Sequence, residues 1–435
     1  MESEYTAIHG LMQLLKAQNN SPADGTGIMV LVDQAHNLLG RNIPPVLTEY
    51  TLGLQPALFG GYPDKSDIVP SAIFVASFLI LMFGHLFIFF KNYSRGHYFY
   101  ISLSWVVYCM MRIVGFALRI VWAKDITNTR IGITSEIFLI LPSEVIVSFN
   151  LILAQRIFTW RHPVGGSRKL FWGVMIQLYV VVVLVIVMTI IFQSFPSIYL
   201  LSPSMYVKYQ KVVQASSILI ILYSLTAIAL LALAYFFKPT KKDENLYTYQ
   251  PWWIESFSPF YFVKKGAANE AAATFMKRTR NHRHAIRVIA ATHHHHNMVE
   301  GLSNDRGGLS HNYSLAIILV TTLFIFIGSV GRAVALFENK YKKDQGAICH
   351  PVVMYICWGL LEVIINLLYL IGRVDLRFYR PDRLPLDVRS IITAEQSLYQ
   401  SETGTMSEYD VDSGSNSQEY KQEKVHKETD SEFVF

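Results

Sequence analysis

Seven stretches of this chain are apolar over the roughly 20 residues needed to cross the hydrocarbon core of a bilayer. They run Ile68–Phe90, Tyr98–Trp122, Ile131–Ile157, Leu170–Phe192, Val212–Phe237, Leu315–Phe337 and Val352–Ile371. Inside lipid each backbone N–H and C=O must find its partner within the segment, so spans of this kind are helices. The pattern therefore predicts an all-α, seven-transmembrane helix bundle. Composition agrees. Of 435 residues, 52% are hydrophobic and 16% charged, with a mean hydropathy of +0.30, whereas a soluble domain carries about 25% charged residues. Most soluble enzyme classes are thereby excluded. The three cysteines, Cys109, Cys349 and Cys357, fall in or beside apolar segments and form no disulfide framework or CxxC knuckle.

Three domains follow from this layout: a polar, loosely structured N-terminal tail over residues 1–67, the transmembrane domain over 68–373, and a tail over 374–435. No basic-plus-apolar stretch of the signal-peptide kind precedes the first span. With the N-terminus outside, thirteen membrane-proximal Lys and Arg lie on the cytoplasmic side against eight on the other. That bias favours N-outside and C-inside. The last 42 residues, from Ala394, hold ten Asp/Glu and three Lys among Ser, Thr, Gln and Gly, a composition expected to be disordered. Without them the body carries 35 basic and 22 acidic residues, a surface suited to anionic inner-leaflet lipids. Nucleic acid is not an expected partner, because no basic patch is interleaved with aromatic residues.

Between the fifth and sixth spans, the loop over 238–312 contains Gly266–Asn297, read as a basic amphipathic helix on the membrane surface. Its cations are Lys277, Arg278, Arg280, Arg283 and Arg287. Trp252, Trp253, Phe257, Phe260, Tyr261 and Phe262 upstream fit an aromatic interfacial anchor. His282, His284, His293, His294, His295 and His296 could ligate zinc, nickel or iron. Four adjacent histidines cannot all ligate one ion from one helix face, so an exposed polar junction is the preferred reading. No metal or other cofactor is expected. P-loop, G-x-S-x-G and H-E-x-x-H signatures are missing, and no enzymatic activity is expected.

Charges inside the spans carry the most information, since burying one unpaired costs several kcal/mol. Arg112 and Arg119 lie seven apart on the second span, close to one helical face. Glu136 and Glu144 lie on the third. In antiparallel helices equal depth means a constant sum of residue numbers; Arg112 with Glu144 gives 256 and Arg119 with Glu136 gives 255. These pairs are read either as salt bridges locking neighbouring helices or as a polar pocket for an ion, proton or headgroup. Pro142 loosens the third span nearby. On the seventh span Glu362 and Asn366 lie one above the other, with Glu362 near mid-membrane and read as unpartnered. It is a candidate proton acceptor or cation ligand, or a protonated group bonded to a neighbouring helix. Arg332 with Glu338 reads as an interfacial anchor.

The strings Ala117–Ala123 (ALRIVWA), Asn150–Phe158 (NLILAQRIF), Ser258–Val263 (SPFYFV), Arg287–Asn297 (RVIAATHHHHN) and Gly331–Glu338 (GRAVALFE) resemble a fungal family of multi-pass membrane proteins catalogued as a domain of unknown function. The resemblance spans roughly Ser66 to Pro381. More distantly, the seven-span plan with an Arg-to-Glu pattern on the sixth helix is similar to RTA-like fungal lipid-translocating exporters. That resemblance implies movement of a lipid or small hydrophobic compound, and the buried polar residues Arg112, Glu144, Glu362 and Asn366 are read as lining the pocket for it. The alternative is a seven-helix receptor or scaffold whose loop and tail engage a cytoplasmic protein. Either would reside in the plasma membrane or an endomembrane.

Overall fold

A computed structural model describes residues 7–40, 42–166, 168–238 and 312–378. It also describes Tyr247–Tyr249, Phe260, Phe262, Lys265, Val288–Ala290 and Asp382–Arg383. The seven expected spans are all present as helices. They are Ile68–Tyr93, Ile101–Lys124, Thr129–Arg161, Lys169–Ile198, Pro203–Phe236, Asn312–Glu338 and Pro351–Ile371. The chain is a multi-pass integral membrane protein.

The third span is the central post. Its apolar stretch is 61% buried, against 17% for the first span. It packs on the second, fifth, sixth and fourth spans, and the seventh closes the bundle against the first and sixth. The first span shows how an edge helix divides its faces. Ile73, Ile80, Phe83, Phe87 and Phe90 are exposed, whereas Ser71, Phe78, Leu81, His85 and Asn92 are buried. These outward residues are all apolar, and the inward side holds the polar Ser71, His85 and Asn92 beside Phe78 and Leu81, as expected where lipid is no less apolar than the interior. Gly115 lets the second and third spans approach closely: a Cβ there would sit 3.0 Å from the Phe138 carbonyl oxygen.

Residues before the first span differ from the loosely structured tail expected. They form helices α1 (Ala7–Gln18), α2 (Ile28–Leu39) and α3 (Pro45–Gly53). Met12 and Leu15 of α1 pack with Leu47 of α3 as a small buried cluster. Backbone bonds tie this layer to the bundle. Gly27 N–H donates to Pro196 O (2.7 Å) and Ala23 N–H to Leu201 O (2.8 Å) at the end of the fourth span. Ala57 N–H donates to Lys340 O (2.8 Å) just after the sixth. The sequence reading missed the layer because its apolar residues come in short runs separated by Gly, Pro and Asn, and they pack only on partners distant in sequence. We call this end of the bundle the N-terminal face.

At the opposite face the ordered chain continues past residue 373. Val374–Arg377 is a helical turn, and Phe378 is buried. In the long loop Val288–Ala290 is a strand, paired with Tyr247–Tyr249, which also pairs with Asp382–Arg383. The expected helix over Gly266–Asn297 therefore does not include these three residues; β-branched Val288 and Ile289 suit a pleated strand better. Lys277, Arg278, Arg280, Arg283 and Arg287 lie outside the described residues, as do the six loop histidines and the acidic tail.

Candidate functional site

Arg112 and Arg119 are both fully buried on the inward face of the second span, but their partners differ from the expected pairing. Arg112 Nε donates to Glu362 Oε2 (2.6 Å), and a second guanidinium nitrogen pairs with Oε1. This is the bidentate geometry that makes Arg–carboxylate pairs strong. The Tyr108 hydroxyl donates to the same carboxylate. Arg112 Nη1 donates to the Leu139 carbonyl (2.6 Å), in the turn that Pro142 loosens. Glu362 is thus not the unpartnered mid-span carboxylate of the sequence reading. Asn366, one turn on, donates to the Glu362 carbonyl (2.8 Å). The Trp358 ring lies 5.5 Å from the Arg112 guanidinium.

Glu144 is buried as expected but pairs with Arg332 (2.7 Å), not Arg112. Arg332 also donates to Gln193 Oε1 on the fourth span (2.7 Å), so it joins three helices. It is 6% exposed and is no snorkelling anchor. Glu338 lies 3.6 Å from Lys340 instead. Equal depth places two charges at one height in the membrane; it does not say which way each helix turns its charge. The central third span turns Glu144 toward the sixth helix, while the seventh brings Glu362 to Arg112.

The remaining expected pair is present in a wider form. Arg119 lies 3.8 Å from Glu136 and 3.5 Å from Asp67, and donates to the Gly60 carbonyl at 2.7 Å. Gly60 and Gly61 both have positive φ, and a Cβ on Gly60 would run into the Met354 side chain. Only glycine suits this turn, which aims two carbonyls at the guanidinium. Asp67 accepts from the Tyr355 hydroxyl (2.7 Å) and, within a capping box, from Asp64 N–H (3.0 Å). Glu136 Oε1 has no hydrogen-bond partner among the described residues.

That oxygen belongs to a carboxylate lining two adjoining cavities of about 120 and 110 Å³. Both are also lined by Leu58, Tyr62, Gln193 and Ser197. The first is walled by α1, α2 and α3 and by Ile133, Ile137, Ile140 and Ile190 of the spans. The second adds Tyr206, Gln210, Gln214, Arg332 and Trp358. Tyr62 lies outside the spans, and burial, reinforced by the Glu136 charge, pushes its hydroxyl pKa up and keeps it neutral. A third pocket of about 20 Å³ sits deeper, touching Glu144, Arg332 and Glu362. Apolar walls thus lead to a polar floor that connects with the buried ion pairs.

Deeper still, Asn150, Thr321 and Tyr369 share hydrogen bonds, with Tyr369 donating to Asn150 Oδ1 at 2.7 Å. At the opposite face Asp375 accepts from Asn92 (2.7 Å) and pairs with Arg373 (2.7 Å), while the His97 ring meets its carbonyl at 2.9 Å. Of these partners, Asp67 could have been found from the D-x-x-D spacing of Asp64 and Asp67, which forms a capping box; Tyr108, Gln193 and Tyr355 gave no sequence signal. Among the described residues no group of His, Cys, Asp and Glu is arranged to hold a metal ion.

Fold and buried polar ladder define a helical, multi-pass integral membrane protein with a cavity at one face. Over residues 163–379 the chain matches a family model described as a protein of unknown function (DUF3112). The match runs from just after the third span through the seventh and includes Arg332 and Glu362. No curated protein and no solved structure matches the chain.

Proposed function

We propose that the chain binds a lipid or small hydrophobic compound in the adjoining cavities and moves it through the membrane. One observation carries this reading: a pocket with apolar walls ends on Glu136, Gln193 and Arg332. An amphiphile places an apolar body and a polar head in that arrangement, and a few fixed polar groups in an apolar cavity are what orient a small ligand. The likeness to fungal lipid-translocating exporters adds to it. Arg332 would act at the cavity floor, and the Arg112–Glu362 pair beneath it as the element that must open for passage. No chemical step is assigned to any residue.

The test uses full-length protein in liposomes holding a headgroup-labelled fluorescent phospholipid or a hydrophobic dye. Movement of at least one across the bilayer should exceed that in protein-free vesicles, and Arg332→Gln should reduce it while leaving helix content unchanged. Movement no faster than in protein-free vesicles, for lipid and dye alike, overturns the transport reading.

The closed layer below the cavities favours a second reading. Phe78, Tyr108, Phe116 and Leu139 are fully buried around the Arg112–Glu362 pair. A ligand held above such a layer without passing it would make the protein a seven-helix receptor or scaffold. Saturable ligand binding without flux is the outcome that selects this reading.

A further inference from the structure

We propose that the first span carries a binding site for an anionic phospholipid at its end opposite the cavity. Lys91 and Arg95 hold the phosphate-bearing headgroup, and an acyl chain lies along Phe87 and Phe83. The site is separate from the cavity and does not depend on the transport reading.

Ile80, Phe83, Phe87 and Lys91 follow one another at spacings of three and four in the helix Ile68–Tyr93, so they form one stripe. The three apolar residues are each more than half exposed, and Lys91 is exposed too. Phe78, Leu81, His85 and Asn92 are buried on the other side of the helix. Lys91 is also the first Asp, Glu, Lys or Arg after Asp67. The helix has 26 residues. At about 1.5 Å per residue it passes a hydrocarbon core of about 30 Å by roughly 4 to 5 Å at each end when centred in it. Lys91, two residues from the end, then stands about 1 to 2 Å outside the core, in the headgroup region, while Phe87 and Phe83 stand inside it. The stripe thus runs from acyl depth to a cation at headgroup depth.

Further cations converge there. Lys91 Nζ lies 6.0 Å, Arg95 Cζ 5.5 Å and Arg373 Cζ 4.8 Å from the centre of the Phe262 ring. Phe262 comes from the loop between the fifth and sixth spans, and its ring meets Phe87 nearly at right angles, 6.1 Å between centres. The ring therefore sits on the lipid-facing stripe. Arg95 Nη1 donates to the Phe262 carbonyl (3.1 Å), which fixes the guanidinium beside it. An aromatic ring attracts cations through its quadrupole but has no net charge with which to neutralise them. Arg373 has Asp375 for that purpose. Lys91 has no ion pair among the described residues. Tyr93 and Tyr98, each half exposed with ring centres 5.2 Å apart, flank the site as aromatic residues do at headgroup level. An anionic phospholipid meets both halves of this surface, its phosphate at the cations and its chain at the phenylalanines. A free phosphate would meet only the first.

The experiment places a fluorophore on Phe83→Cys in the full chain, reconstituted in phosphatidylcholine vesicles. The native cysteines are buried, and labelled wild type gives their background. Part of the host lipid is replaced by phosphatidylserine or by phosphatidylcholine, each brominated on its acyl chains. Each Lys or Arg near an anionic headgroup is worth about a fivefold preference, so brominated phosphatidylserine should quench as though bound at least about tenfold more tightly. A probe on Val183→Cys, exposed on the fourth span, should not distinguish the two lipids. Lys91→Gln should lower the preference about fivefold, Lys91→Arg should keep it, and Lys91→Gln with Arg95→Gln should abolish it. Lys91 is exposed, so the single variant keeps the fold, which helix content checks. Equal quenching by the two lipids, or a preference unchanged in a folded Lys91→Gln protein, overturns the site. Loss of the preference on adding inorganic phosphate at constant ionic strength points to a free-phosphate site and overturns it as well.

Discussion

At the scale of single residues, the interior is organised by guanidinium groups. Arg112, Arg119 and Arg332 each collect partners from two or more helices, so each pins the bundle at one point. Removing one member of a buried pair leaves an uncompensated charge and costs about 3–5 kcal/mol. Arg332→Ala and Glu144→Ala should each lower stability by that order in the purified protein. The pair should be non-additive in a double-mutant cycle read by denaturant or thermal unfolding. Arg112→Ala with Glu144→Ala should come close to additive, since the two residues have different partners. Strong coupling between Arg112 and Glu144, with none between Arg332 and Glu144, would contradict the arrangement described here. Gly115 offers a separate check. Gly115→Val pushes two methyl groups toward the Phe138 backbone, which cannot move aside as a side chain could. A loss of about 1–3 kcal/mol is expected, read in the same unfolding assay.

Among elements, the seventh span is the least regular. Pro351–Met354 starts as α-helix, Tyr355–Leu360 is π-helical, and Leu361–Ile371 returns to α. Tyr355, Cys357 and Trp358 are all buried in this widened turn. Tyr355 reaches Asp67 and Trp358 reaches Arg112, so the irregular segment is the part of this helix that touches both arginine clusters. The turn joining the first two spans meets the end of the seventh through His97. Burial, the larger influence, pushes the His97 imidazole below its ordinary pKa against the attraction of Asp375. The folded protein therefore holds the ring neutral. Its contribution is present above the ordinary histidine value of about 6.5 and is lost as pH falls from there toward the depressed folded value. The unfolding temperature of wild type should drop across that acidic window, and His97→Gln should show a flatter profile. Parallel pH profiles for the two proteins would remove His97 as the cause.

For the whole molecule, the seven spans among the described residues are expected to put the two termini on opposite sides of the membrane. The Lys/Arg asymmetry of the short loops predicts that the N-terminal face is outside. Protease treatment of sealed vesicles bearing tags at both ends should digest one tag and spare the other, with the N-terminal tag accessible in intact cells. Loss of both tags from one side would require an even number of spans. The N-terminal helices close over the cavity at this face, so the same experiment tells which side of the membrane the cavity lies toward.

The spans themselves could be read along the chain because a bilayer makes only one local demand: about 20 apolar residues that satisfy their own backbone. All seven follow from that, as does the burial of Arg112, Arg119, Glu144 and Glu362, since a charge in a span turns away from lipid wherever the span packs. Partner choice has no such local origin. Arg112 could meet Glu144 or Glu362 at nearly the same depth, and only the rotation of each helix in the assembled bundle sends it to Glu362. Cooperation of Gly60, Asp67, Glu136 and Tyr355 around Arg119 likewise joins residues up to 295 positions apart. The cavity was invisible for the same reason: its roof comes from α1 and α3, its side from α2 and its floor from spans three to six. Apolarity along the chain decided what enters the membrane, and side-chain packing across it decided which charges meet and where cavities are left.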